Sequence, residues 1–284
     1  MKTTRLIYCW GICLSALTAA SPLVASGAES GTSEQIDGFR DTPMLPGTKW
    51  HLHDPDRPQP PVVTPGLTFS QSAPAPSDAE VLFDGKDLSK WQNGRGQDAP
   101  WVVKDGYMET AQQQGIRTRG KWADFQLHVE FTTPTPARGT GQGRGNSGIL
   151  INGMYEVQVL DSYQAKTYPD GQCGAIYGQS PPLANASKPP GEWQAYDIIF
   201  ESPRWNDAGE LVKKAVITVL HNGVVVQNHY ELVGITDGIS REVAYRTLSK
   251  YGAPHSPEVF IELQFHNNPL RFRNIWIRKL GEKS

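Results

Sequence analysis

The sequence predicts an all-β fold, an antiparallel jelly-roll sandwich, from three observations. Short apolar runs recur at close intervals along residues 80–281, and turn-forming residues separate them. Glycine (28) and proline (22) are both abundant among the 284 residues, as expected where turns join many short strands. No stretch shows helical periodicity beyond one or two turns, so the helices of an α/β protein are not expected.

Two kinds of local pattern locate the individual strands. Residues 125–131 and 261–266 alternate apolar and polar side chains, which predicts strands with one face on the core and one polar face. Asp105-Gly106 and Asn222-Gly223 predict tight hairpin turns, because these residues accept positive φ angles. Further strands are predicted at residues 81–83, 101–103, 107–109, 147–151, 155–160, 196–200, 215–220, 224–226 and 272–280. The side chains expected in the core include Phe125, Leu127, Val129, Ile261, Leu263 and Phe265.

The N-terminus has the pattern of a secretory signal peptide, predicted over residues 1–28. Lys2 and Arg5 precede an apolar run at residues 6–20, and small residues follow it. This run is shorter than the ~20 residues that a membrane-spanning helix needs. We therefore expect a secreted or periplasmic protein with no membrane span in its mature part. Cys173 is the one cysteine beyond this segment, so no internal disulfide is expected.

Residues 29–78 are predicted to be a proline-rich arm or linker ahead of a jelly-roll domain at residues 79–284. Seven prolines lie between Pro55 and Pro76, with little apolar periodicity. His51 and His53 would project to one side of an extended segment, as metal ligands do. The alternative is an arm that packs on the sandwich through Trp50 and Leu52.

Composition narrows the class of partner. Lysine and arginine (27) nearly balance aspartate and glutamate (29), so we expect no nucleic-acid partner. Eight tryptophans and ten tyrosines suit a carbohydrate site, because an aromatic face packs against the C–H face of a pyranose. The same residues are equally suited to an ordinary sandwich core.

The strand at residues 155–160 carries the most informative polar pattern. Glu156 and Gln158 share one face, and Val157 and Val159 share the other. Asp161 would face the core unless a bulge returned it to the side of Glu156. Carboxylates along a concave strand are the arrangement of jelly-roll endoglucanases, but the intervening glutamine cannot act as an acid or nucleophile. A solvated strand face is the alternative.

Four further residues are candidates for a site. Gln264 and His266 are polar residues in an otherwise apolar strand, and histidine suits proton transfer near neutral pH. Asn146 offers an amide in a loop before a strand. Arg273 could orient a sugar or form a structural ion pair.

Nine short segments resemble, in order, the family of 3-keto-disaccharide hydrolases, and together they span about residues 80–281. No single segment is specific, but the ordered series is. The segments are residues 82–88 (LFDGKDL) with Trp91, Asp124-Phe125, Asn146-Ser147-Gly148, Tyr155-Glu156-Val157-Gln158 with Asp161, Gly174-Ala175-Ile176-Tyr177-Gly178, Gly191-Glu192-Trp193, Asn222-Gly223, Leu263-Gln264-Phe265-His266 and Phe272-Arg273-Asn274-Ile275.

The resemblance implies a concanavalin A-like (lectin/glucanase) jelly roll that is exported and cleaves 3-keto-glycosides or 3-keto-disaccharides by elimination and hydration. A ketone at C3 acidifies the C2 proton, so a base can form an enolate that expels the C1 substituent. Glu156 or His266 would be that base, and the other group or a bound divalent metal ion would stabilise the enolate. Asp161 is the third catalytic candidate. The candidates for binding substrate are Asn146, Gln158, Trp193, Gln264 and Arg273.

One departure from the family pattern and two rival functions complete the expectations. Gln194 follows Trp193 where such proteins usually have asparagine, which predicts a shift in substrate preference. The first rival is a non-catalytic carbohydrate-binding module or lectin, since a fold does not fix a function. The second is a retaining endoglucanase-like glycosidase, which needs two carboxyl groups about 5–5.5 Å apart.

Overall fold

The computed structural model describes residues 36–67, 70–111, 113–235, 251 and 253–281. The predicted signal peptide lies outside these residues. The described chain is an antiparallel sandwich of an eight-stranded sheet and a five-stranded sheet, with a separate two-stranded ribbon, and the predicted all-β jelly-roll class is confirmed. The described residues contain no apolar helix of membrane-spanning length.

The eight-stranded sheet has the order β13-β12-β9-β6-β15-β4-β3, with β1 also paired to β15, and the five-stranded sheet has the order β2-β5-β14-β7-β8. The ribbon is β10-β11. The strands are β1 (Glu80–Phe83), β2 (Trp91–Gln92), β3 (Val102–Lys104), β4 (Tyr107–Glu109), β5 (Ile116–Thr118), β6 (Phe125–Thr132), β7 (Ser147–Ile151), β8 (Tyr155–Val159), β9 (Gln194–Glu201), β10 (Arg204–Trp205), β11 (Leu211–Lys213), β12 (Val216–His221), β13 (Val224–Glu231), β14 (Ile261–Leu263) and β15 (Arg271–Lys279).

The core lies between the inner faces of the two large sheets. Five of the six side chains predicted there are fully buried, from Phe125 to Leu263. Phe265 is the exception and is only partly buried, because β14 ends at Leu263 and the alternation of that strand stops with it. Both predicted hairpin turns are present. Asp105 and Asn222 have φ angles of 49° and 51°, and a glycine at φ 80° follows each.

The outer face of β6 differs from its sequence prediction. Alternation predicts a polar face for this strand, yet His128 and Glu130 are both fully buried. Residues 70–73 of the arm cover them. The Ser70 hydroxyl donates to Asp197 Oδ2 on β9 at 2.7 Å, and the amide of Ser72 donates to Glu130 Oε1. The arm therefore closes the patch of the outer face that contains His128 and Glu130.

Hydrogen bonds stabilise the charged forms of Glu130 and His128 on this face. At Glu130, burial raises the pKa, but donors outweigh it and lower the pKa from 4.5 to about 2. These donors include His128, the Asn274 amide at 2.8 Å and Arg273 Nε at 2.7 Å. At His128, burial lowers the pKa, but hydrogen bonds to Asp197 and Glu130 outweigh it and leave the pKa above its ordinary 6.5. The ionised pair is thus the form that the fold favours.

The pKa of Glu130 predicts acid sensitivity of the arm-covered face. Between pH 4.5 and about 2 the unfolded chain binds a proton at this carboxyl that the folded chain does not, so the free energy of unfolding falls as the pH falls. The raised pKa of His128 acts in the opposite direction, and its contribution is lost as the pH rises above 6.5. Urea unfolding should show a shallower acid dependence below pH 4.5 in Glu130→Gln than in the parent chain.

The exposed pair of Glu109 and Arg271 supplies the control. Glu109→Gln should leave the acid dependence close to that of the parent, because an exposed pair contributes little. Equal acid slopes in Glu130→Gln and the parent would contradict the assignment of this stability to Glu130.

Candidate functional site

The outer face of the five-stranded sheet carries a buried polar layer on β8. Tyr155, Val157 and Val159 of this strand belong to the core, so Glu156 and Gln158 project from the opposite face, as predicted. Their side chains are nevertheless almost inaccessible, with 4% and 1% exposed. The layer is therefore a desolvated environment rather than an open strand face.

A glycine on the neighbouring strand makes room for the Glu156 carboxylate. Gly148 of β7 pairs with Gln158 of β8. A Cβ atom placed at Gly148 would lie 2.3 Å from Glu156 Oε1 and 3.0 Å from its carboxyl carbon. The carboxylate thus lies over Gly148, in space that any other residue would fill.

Three amide side chains form a connected group in the layer. Gln158 Nε2 donates to Gln142 Oε1 at 2.9 Å, and Asn146 Nδ2 donates to the Gln142 carbonyl at 2.8 Å. Gln142 Nε2 in turn donates to the Gly171 carbonyl at 3.0 Å. Gln158 Oε1 is buried without a hydrogen-bond partner among the described residues. That oxygen is an acceptor suited to a ligand hydroxyl.

Two phenols lie close to Glu156. The hydroxyls of Tyr168 and Tyr177 are 2.6 Å apart, and the Tyr177 amide donates to the Glu156 carbonyl at 3.1 Å. Burial is the largest cause that raises the pKa of each phenol, and the charges of Glu156 and Asp170 raise both further. Both hydroxyls therefore stay protonated near neutral pH and can act as hydrogen-bond donors.

The loop that carries these phenols is fixed to the edge of β8. The backbone amide of Gln158 donates to the Ala175 backbone carbonyl at 3.0 Å, and the backbone amide of Gly174 donates to the Gln158 backbone carbonyl at 3.0 Å. With the bond from Tyr177 to Glu156, these pairs align residues 174–177 with β8. Each site residue of the strand is thereby aligned with a defined residue of the loop.

A cleft of about 380 Å³ opens at the end of the sandwich where β6 and β8 end. Asp161 lies in its floor, 2% exposed, and accepts a hydrogen bond from Arg144 Nε at 2.8 Å. Because β8 ends at Val159, strand alternation does not decide the direction of Asp161. The lining also includes Arg138, Gly139, Gly143, Gly145, Asn267 and Asn268.

Gln264 and His266 separate in the structure. The backbone amide of Gln264 donates to the Gly148 carbonyl at 2.9 Å, which places this residue beside the Glu156 layer. His266 lies beyond the end of β14 and is exposed. Its ring has no hydrogen-bond partner among the described residues, and its carbonyl accepts the Asn268 side chain. The sequence prediction of a desolvated histidine on the strand face is thus not met at His266.

Trp193 and Arg273 lie on the eight-stranded sheet instead. Arg273 Nε donates to Glu130 at 2.7 Å, and its guanidinium lies 4.1 Å from the centre of the Trp193 ring. Both therefore lie on the opposite side of the sandwich from Glu156, not at the rim of its face as predicted. Gln194 is buried, and its Oε1 accepts the Lys188 amide and contacts His221 Nε2 at 2.9 Å. Gln194 is thus an interior residue of the sandwich rather than a residue of the Glu156 layer.

Glu262 is a candidate that the sequence analysis missed. It pairs with Leu150, which pairs with Glu156, so the two carboxylates lie on one face two strands apart. Burial raises the pKa of Glu262, and the charge of Arg117 opposes that shift. The sequence pattern that could have identified Glu262 is a charged residue between the apolar Ile261 and Leu263 of one strand. Tyr168 and Asp170, which lie in irregular segments, gave no comparable signal, and His53 was noted only as a candidate metal ligand.

The histidines of the arm do not form the predicted pair of metal ligands. The chain turns after His51, and His53 has a φ angle of 56°, so the two do not alternate along an extended segment. His51 Nδ1 bonds to the Thr42 carbonyl. Within the described ranges there is no group of three or more His, Cys, Asp or Glu side chains arranged to hold a metal ion.

Comparison with known proteins agrees with this architecture. A crystal structure of a protein from Parabacteroides distasonis, provisionally named a glycosyl hydrolase, is 45% identical. It aligns with 84% of this chain and 100% of its own, at a TM-score of 0.68. A second such protein from that organism shares the fold at 19% identity and a TM-score of 0.51, over 76% of this chain and 99% of its own. No match was found among curated protein sequences.

The family model for the 3-keto-alpha-glucoside-1,2-lyase-like domain matches residues 78–278. That range contains both large sheets and the Glu156 layer, and it leaves the arm outside. The chain therefore belongs to the family of 3-keto-alpha-glucoside-1,2-lyase-like domains.

Proposed function

We propose that this carbohydrate-active protein cleaves glycosides whose sugar carries a ketone at C3, by elimination and then hydration. A base removes the C2 proton, and the C–H electrons form an enolate conjugated with the C3 carbonyl. The enolate expels the substituent at C1, which leaves as an alcohol after taking a proton. Water then adds across C1 and C2, with its hydroxyl on C1 and a proton on C2. We also propose, from residues 1–28, that the protein is exported.

Glu156 carries the proposal as the C2 base. Its carboxylate is 4% exposed and lies over Gly148, in a layer where amides and phenols replace water. A carboxylate can accept a proton as a general base, and a layer closed to bulk water protects a reactive enolate from side reactions. His266 is exposed, so Glu156 is the better supported of the two predicted bases.

The same layer offers groups for the developing negative charge and for the leaving alcohol. One of the Tyr168 and Tyr177 hydroxyls donates to the other, and the second is a protonated donor suited to an enolate oxygen. Glu262 lies on the same face, and its raised pKa favours the protonated form that a general acid requires. Gln158 Oε1 is a buried acceptor for a sugar hydroxyl.

Turnover should require the C3 ketone. Mature protein should release the alcohol from a methyl or aryl 3-keto-glucoside and leave the unoxidised parent glycoside intact. In D₂O the sugar product should carry deuterium at C2, because the proton removed there returns from solvent. NMR and mass spectrometry of the product would measure both results. Product that retains its C2 hydrogen would contradict the elimination route.

Removal of the base should reduce turnover strongly. Glu156→Gln should lower kcat by about 10²–10⁴-fold, as is usual when a general base is lost. Glu258→Gln is the matched control, because this glutamate is exposed and lies just before β14. It should keep parental turnover. Full activity in Glu156→Gln would remove Glu156 from the mechanism.

Gly148→Ala tests the placement of Glu156 without changing its chemistry. The new Cβ would lie 2.3 Å from Oε1, so the carboxylate must move. We expect kcat to fall at least tenfold, with a small change in melting temperature because a flexible side chain can yield. Gly94→Ala is the control, since a Cβ there meets nothing within 4 Å. Parental kcat in Gly148→Ala would show that the carboxylate position is unimportant.

A carbohydrate-binding module would give a different pattern. Glu156→Gln would then weaken sugar binding, measured by calorimetry, while the parent chain showed no turnover of 3-keto-glucosides. A retaining glycosidase would instead cleave the unoxidised parent with retained configuration at C1.

A further inference from the structure

The arm contributes a buried histidine to the polar layer, from outside the range that the family model matches. His53 is 2% exposed, and its amide donates to Asp170 Oδ2 at 2.9 Å. Its carbonyl accepts the Phe39 amide at 2.8 Å. These bonds join the arm to the loop that carries the two phenols.

The His53 ring packs directly against both phenols. Its centroid lies 4.1 Å from that of Tyr168 and 4.9 Å from that of Tyr177. The phenol hydroxyls are 2.6 Å apart, and the charge of Glu156 acts on both. The phenols therefore contact His53 directly and lie within the electrostatic reach of Glu156.

An imidazole is unexpected at the buried position of His53. Both of its nitrogens, and Asp170 Oδ1, are buried without hydrogen-bond partners among the described residues. Nδ1 and Oδ1 are 3.4 Å apart, an ion-pair distance. A phenylalanine would fill the same space without two unpaired ring nitrogens, which are unfavourable in a buried site, but it would leave Asp170 without a partner that can be charged. Packing alone does not account for an imidazole here.

The backbone at His53 is also strained. Its φ angle of 56° lies in the left-handed region, which residues with a side chain rarely adopt. Gly38 packs against it so closely that a Cβ there would lie 2.5 Å from the His53 carbonyl oxygen. Such strain persists where surrounding contacts impose it, and it is concentrated at functional sites.

We infer that the arm is part of the site: His53, oriented by Asp170, is a positioning residue that holds the Tyr168 and Tyr177 phenols against Glu156. For its effect on turnover, this inference rests on the proposed function. Asp170 contacts His53, His53 contacts the two phenols, and the charge of Glu156 acts on the phenols.

Two variants of His53 and one control test this role in turnover. His53→Ala and His53→Gln should each lower kcat at least tenfold, with KM within twofold of the parent. Thr42→Val is the control, because the Thr42 hydroxyl holds the same arm segment through the Leu52 carbonyl at 2.6 Å, away from the phenols. It should keep parental kcat. Equal losses of kcat in Thr42→Val and the His53 variants would show that His53 only attaches the arm to the sandwich, and this result would overturn the inference.

A second readout needs no turnover. With ¹³Cζ-labelled tyrosine, Glu156→Gln should shift the Tyr168 and Tyr177 resonances in the parent chain, and by a smaller amount in the His53→Ala background. An undiminished shift would overturn the inference, even if kcat falls. If the parent chain cleaves no 3-keto-glucoside, the proposed function fails, while the positioning role still stands or falls on these resonances.

Discussion

Buried charge is the constraint on which the arrangement of this protein depends. Both sheets carry a buried carboxylate on the outer face, Glu130 on one and Glu156 on the other, so each carboxylate needs donors in place of water. At Glu130 the donors come from β15 and from the arm. At Glu156 the surrounding groups come from the loop at residues 168–177 and from β7. Irregular segments of the chain, rather than the strands, thus decide what each sheet face can do.

The two closed faces have different chemical character. At the face of Glu130 both ionisable groups are paired: the Glu130 carboxylate accepts several hydrogen bonds, and the His128 ring, stacked on Trp276 at 5.2 Å, is held at both nitrogens. The face at Glu156 keeps an unpaired amide oxygen at Gln158 and two protonated phenols. A fully paired cluster stabilises a fold, whereas unpaired groups in a desolvated layer are available to a ligand. This contrast in pairing is the reason why the proposed function uses Glu156 rather than Glu130.

The sequence predicted what faces the core and not what covers the other faces. Alternation in β6 and β14 placed Phe125 and Leu263 correctly, because side-chain period reports the buried face of a strand. The same pattern could not show that residues 70–73 bury His128 and Glu130, since the arm has no periodicity of its own.

For the candidate site too, the sequence predicted the residues that share a strand but not those that come from distant irregular segments. Glu156 and Gln158 shared a face because both lie in one strand. His53 and Asp170 are 117 residues apart and lie in irregular segments, so no local pattern links them. Their meeting depends on the path of the arm, which tertiary packing alone determines.

The backbone pairing of β8 with residues 174–177 has a further consequence. β8 is the last strand of its sheet, and an unpaired edge of this kind can recruit a strand from another molecule. Here the loop occupies that edge at Glu156 and Gln158 through main-chain groups, which any amino acid supplies. The buried side chains of Ala175 and Ile176 fix this segment to the interior, so the edge stays covered while the fold is intact. The segment that carries Tyr177 therefore also protects the sheet from edge-to-edge pairing with another molecule.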